Sequence, residues 1–77
     1  MRDEYDFIKV DVAIEIIAEM IADASIALET ESDCNTIRDL NKKLKIYKKQ
    51  REQIYLFNMD VVKYVIEVYG AELKKQR

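Results

Sequence analysis

Residues 55–70 read YLFNMDVVKYVIEVYG, and whether the chain turns or runs straight through this stretch decides the fold. At roughly 100° per residue, Tyr55, Val62, Ile66, Tyr69 and Leu73 keep the helical phase of Leu40 and Leu44 upstream. That phase favours one long helix, or two nearly collinear ones. Asn58 and Asp60 speak for the alternative, because both are good cap residues and could close a turn at FNMD and open a third helix.

Upstream the reading is plainer. The chain has no Pro and one Gly, and it is rich in Ala, Ile, Leu, Glu and Lys, so it reads as all-helical. A first helix is expected over about residues 6–30, with Val10, Ile14, Ile17, Ile21, Ala24 and Leu28 on one stripe, widened by Ala13, Met20 and Ala27. So broad an arc asks for at least two neighbouring helices. ETESDCNT, residues 29–36, gathers capping and turn residues, with Asp33 or Thr36 as N-cap and a loop over about 31–35. A second amphipathic helix follows over about 36–58, through Ile37, Leu40, Leu44, Tyr47 and Ile54. Residues 60–75 are its continuation or a third helix.

Charge supports pairing the first two helices. Residues 1–33 hold ten acids and two bases, and residues 34–77 hold five acids and eleven bases, so a half of net −8 faces one of net +6 in a chain of net −2. Folding back at the loop sets an antiparallel register in which facing positions sum to roughly 64 or 65. The first helix is then exhausted near Asn58, and whatever follows needs another neighbour. The fold class expected is all-α: an antiparallel helical hairpin extended by a C-terminal helical segment, as two long helices or a three-helix bundle, in one domain that dimerises. The dimer is expected because a chain of 77 residues buries only about 60% of its unfolded surface, and small domains need a supplement.

Disulfides and zinc do not supply it, since the chain has one cysteine, Cys34, and no histidine. The lack of histidine also removes the nucleophile triads and the commonest general base. With a single glycine there is no phosphate-binding loop. No catalytic residue, metal site or cofactor is expected, and the chain reads as a non-enzyme. The acidic start is unlike a signal peptide, and Glu15, Glu19 and Asp23 interrupt the most apolar segment; a soluble, cytoplasmic protein without membrane contact is expected.

Three features invite a functional reading. Asp11, Glu15, Glu19 and Asp23 form an i,i+4 ladder that reads as a solvated acidic face, because the di-metal bundles that use such helices also need histidine. Arg38, Lys42, Lys45 and Lys49 form a basic stripe that could track a phosphate backbone, although the overall negative charge works against long-range attraction to nucleic acid. The third is the aromatic run, since five of the seven aromatics lie between residues 47 and 69. Tyr55, Phe57, Tyr64, Val68 and Tyr69 are the expected partner-binding residues, because tyrosine is enriched at interfaces. The function expected is a small protein-binding regulator or inhibitor of phage or mobile-element type, acting through a helical surface on itself and on a protein partner. The alternative is a nucleic-acid-binding helical dimer that uses the basic stripe.

Overall fold

The computed structural model describes residues 4–76. Within them lie three helices and no strand: α1, Glu4–Thr30; α2, Cys34–Tyr55; and α3, residues 59–76. α3 has α-helical ends, Met59–Tyr64 and Gly70–Gln76, on either side of a π-helical turn, Val65–Tyr69.

The α1–α2 connection is built from local polar chemistry. A carboxylate oxygen of Glu31 accepts from the amides of Ser32 and Asp33 at 3.1 and 2.9 Å. Asp33 is the N-cap, its carboxylate accepting from the Thr36 amide at 3.1 Å and the Thr36 hydroxyl at 2.8 Å. Both bonds favour the ionised form, the hydroxyl first, and hold the Asp33 carboxyl below its ordinary value. With Asp33 rather than Thr36 as cap, α2 begins at Cys34, two residues before the expected start.

At the other end of α2 the structure departs from the continuous helix that the phase favours. α2 stops at Tyr55, short of the expected residue 58, and the chain turns through Leu56, Phe57 and Asn58. The Asn58 amide bonds back to the Gln53 carbonyl at 3.0 Å and the Phe57 amide to the Ile54 carbonyl at 2.9 Å. These are the two bonds of a Schellman motif, which requires a left-handed residue between them. Phe57 occupies that place with φ 60, where glycine is usual and a side chain costs about 1 kcal/mol. A polar clasp reinforces it, the Asn58 side-chain amide donating to the Gln53 side-chain oxygen at 3.2 Å.

The offsetting gain is tertiary. The Phe57 ring packs edge-on against Phe7 of α1, centroids 5.3 Å apart, in the register expected for an antiparallel pair. Past the turn, α3 lies against both α1 and α2, with Gly70 so close to α1 that a Cβ there would sit 3.3 Å from the Ile16 side-chain tip. The neighbours that residues 59–76 need are therefore the first two helices of the same chain.

All three helices share one core. Val10, Ala13, Ile17 and Ala24 of α1, Leu44, Tyr47 and Ile54 of α2, and Val62, Val65, Tyr69 and Leu73 of α3 are buried, with Ile17, Ile54, Val62 and Val65 wholly so. Ile14, Met20, Ile21, Leu28 and Leu40 pack against it, partly covered. The expected α1 stripe is the stripe that is buried, and its width is explained by two partners rather than one. The residue that breaks the continuous-helix pattern is Tyr55, which that pattern places inward and which is 58% exposed.

Candidate protein-binding surfaces

The aromatic run divides by depth. Tyr69 is buried, and its hydroxyl donates to the Gln50 side-chain oxygen at 2.9 Å. Its ring meets Tyr47 edge-on at 5.3 Å and Tyr64 edge-on at 5.4 Å. The three rings make a row from the core to the surface, ending on Tyr64, which is 47% exposed. Burial pushes the Tyr47 phenol above its ordinary pKa, with Glu72 adding to it. Burial raises Tyr69 too, against a smaller opposing contribution from the Gln50 hydrogen bond. Both phenols stay neutral at physiological pH and act as an amphipathic wall. Tyr69, expected among the partner-binding residues, is a support for Tyr64 instead, because its ring fills the space between α2 and α3.

The π turn makes this row possible. The Gly70 amide bonds to the Val65 carbonyl, five residues back. In an α-helix, residues five apart point roughly 140° away from each other; the wider turn brings Tyr64 and Tyr69 to the same side, where their rings meet edge-on. Val68, one turn on from Tyr64, is also partly open to solvent. Tyr64 and Val68 thus form a small apolar flank on a rigid base.

Phe57 is half-buried in the turn and engaged with Phe7, so its first role is to hold the reversal. Around it the exposed apolar surface is larger than the sequence reading proposed. Tyr55 is exposed, and so are Leu56, Tyr5, Phe7 and Ile8. Of these only Tyr55 stands among the expected binding residues. Tyr5 and Phe7 lie some fifty positions from the aromatic run, and only the antiparallel register, which sets Phe7 opposite Phe57, could have drawn attention to them.

The charged faces lie where the phases put them. Arg38, Lys42, Lys45 and Lys49 are all exposed along α2, and Ile46, 53% exposed, stands among the three lysines. Asp11, Glu15 and Asp23 are exposed on α1, while Glu19 is half-buried beside α3. Glu15, Glu19 and Glu67 help to line an open groove between α1 and α3 with a volume of about 490 Å³. Cys34 is a free, exposed thiol at the first position of α2. Among the described residues no group of His, Cys, Asp or Glu is arranged to hold a metal ion, and no helix is long and apolar enough to cross a membrane. Compared with protein families, with curated proteins and with solved structures, the chain gives no significant match.

Proposed function

We propose that this chain is a small, non-enzymatic protein-binding regulator or inhibitor, a three-helix bundle that acts by covering part of a macromolecular partner's surface. The observation that supports this reading is the Tyr64 and Val68 flank, two exposed apolar side chains on a base fixed by the Tyr69–Gln50 hydrogen bond and the edge-on ring contacts. A tyrosine already held in place loses little side-chain freedom on docking, which is why such residues become interface anchors. Tyr55 and Leu56 at the turn would extend the contact.

The test is a comparison of baits. A native-host protein held by the wild-type chain should be lost from a Tyr64→Asp, Val68→Asp variant whose helical circular dichroism is unchanged. Equal recovery by both baits would refute the reading, and collapse of the helical signal would show that Tyr64 is a core residue.

A second reading, nucleic-acid binding, is favoured by the exposure of Arg38, Lys42, Lys45 and Lys49 along one side of α2. Its mark is salt dependence. Neutralising four phosphates would give a log–log slope of about −3.6 on duplex DNA, and the Lys42→Glu, Lys45→Glu variant should lose about half of that slope.

A further inference from the structure

The reversal at Leu56–Asn58 is short and strained. Three residues join α2 to α3, and the middle one, Phe57, sits at φ 60, where every L-residue is disfavoured. Nothing in the sequence there forbids a helix, since the chain has no proline and its one glycine is Gly70. Helical phase also runs unbroken across the turn. Val62 and Val65 follow Leu44 and Tyr47 by eighteen residues each, which is five whole turns of an α-helix, and all four are buried. In a straight helix Tyr55 shares their face, yet the turn leaves it 58% exposed.

We propose that this turn is a hinge, and that α3 is exchanged between two copies of the chain. With Leu56–Asn58 helical, α2 and α3 become one straight helix, and each α3 leaves its own bundle for the place that the other has vacated; short hinges under strain invite such swaps. The fold itself specifies the occupant. The site between α1 and α2 takes the same Val62, Val65, Tyr69 and Leu73, and the same approach of Gly70 to Ile16, from either chain. Direction agrees as well. From Phe57 at Phe7 to Gly70 at Ile16, α3 runs parallel to α1 and against α2, and a two-fold axis at the hinge sets the two long helices antiparallel in the same way. The exchange releases Phe57 from its left-handed conformation, continues the helical hydrogen bonds through the turn and returns Tyr55 to the inner face. Opposing it are the Phe7–Phe57 contact and the Asn58–Gln53 clasp, which belong to the closed form, and the entropy of joining two chains. Dilute protein is therefore monomeric, and the dimer is gained with concentration. In the dimer the tyrosine row is rebuilt across chains, with Tyr47 and Gln50 from one and Tyr69 and Tyr64 from the other. The exchange rests on the hinge and not on the Tyr64 and Val68 flank, so either can fail without the other.

Sedimentation of the full chain, refolded from urea at micromolar and at millimolar concentration, measures the dimer, which should appear as concentration rises. Phe57→Ala and Phe57→Gly both lose the Phe7 contact and differ only in backbone preference. Glycine suits the left-handed turn and alanine the straight helix, so over two hinges the Phe57→Ala dimer should bind about a thousandfold tighter than the Phe57→Gly dimer. Distances within one chain then identify the exchange. In a Cys34→Ser background, spin labels at Lys48→Cys and Glu67→Cys, both exposed positions, sit on neighbouring helices about 10 Å apart in the closed chain. Along one straight helix the same positions are about 28 Å apart. With labelled chains diluted into excess unlabelled Cys34→Ser chain, the dimer should give the long distance and the monomer the short one. A wild-type chain that stays monomeric after refolding at millimolar concentration overturns the proposal, and so does a dimer that keeps the short distance. Equal dissociation constants for the two Phe57 variants overturn it too; if Phe57→Ala does not fold, the distance measured without a Phe57 substitution still decides.

Discussion

Phe57 offers a test whose sign, more than its size, distinguishes the turn from a continuous helix. Its backbone sits at φ 60, where the Cβ of any L-residue meets the following carbonyl at a cost of about 1 kcal/mol. Replacing it with Ala and, separately, with Gly removes the ring in both cases. Each variant forfeits the edge-on contact with Phe7, worth about 0.5–1.5 kcal/mol, and the half-buried apolar surface, worth about 1–1.5 kcal/mol more. Phe57→Ala should therefore be less stable than wild type by about 2 kcal/mol. Phe57→Gly loses the same contacts but is free of the left-handed penalty, so it should be about 1 kcal/mol more stable than Phe57→Ala. In a domain of this size that is a difference of about 4–8 °C in Tm. Inside a continuous helix the order would invert, with Ala above Gly by about 1 kcal/mol. Urea titrations followed by circular dichroism measure the difference directly. An Ala variant as stable as the Gly variant, or more so, would refute the Schellman turn and restore the straight helix.

Tyr69→Phe should cost about 1 kcal/mol in a thermal or urea melt, since it leaves the half-buried Gln50 side chain without its donor; no change would mean that the Tyr69 hydroxyl bond does not form. The raised Tyr47 and Tyr69 phenols should leave stability level up to the ordinary value of 10.0 and lower it above, because the unfolded chain releases those protons first; spectrophotometric titration should show the Tyr47 and Tyr69 phenols ionising at higher pH in the folded protein than in the urea-unfolded chain. Asp33→Ala should lower Tm at neutral pH, and the wild-type cap should weaken as pH falls below 3.8 through the lowered folded value, a loss that Asp33→Asn escapes; identical acid melts for wild type and Asp33→Asn would refute the cap. Gly70→Val should destabilise by about 1–3 kcal/mol by overpacking against Ile16, whereas Gly70→Ala, needing only a shift of the Ile16 tip, should cost far less.

The candidate surfaces were legible in the sequence to the extent that they depend on helical phase. The basic stripe on α2 is exposed residue for residue, because four cations spaced by three and four on a helix whose other side is apolar have only one way to face. The aromatic run was legible as a group but not in its parts. Tyr55 and Tyr69 share a phase, yet one is 58% exposed and the other buried, since a chain reversal and a π turn lie between them. Phe7 and Tyr5 escaped notice because only folding brings the start of α1 to the turn, where Phe7 meets Phe57.

By itself the sequence determined that the chain is helical, that α1 and α2 pair antiparallel, and which stripe of α1 goes inside. Those follow from local quantities: helix propensity, the spacing of apolar residues, the capping chemistry of Asp33 and the sign of charge in each half. Only the tertiary structure decided what YLFNMDVVKYVIEVYG does. Periodicity records the phase of a helix and carries no record of its direction, so a reversal through Leu56–Asn58 leaves Val62, Tyr69 and Leu73 in apparent register with Leu40 and Leu44. The direction was set by energies that no local pattern contains. Burying Val62, Val65, Tyr69 and Leu73 against α1 and α2 is worth several kcal/mol, enough to hold one phenylalanine in a backbone conformation that its own side chain disfavours.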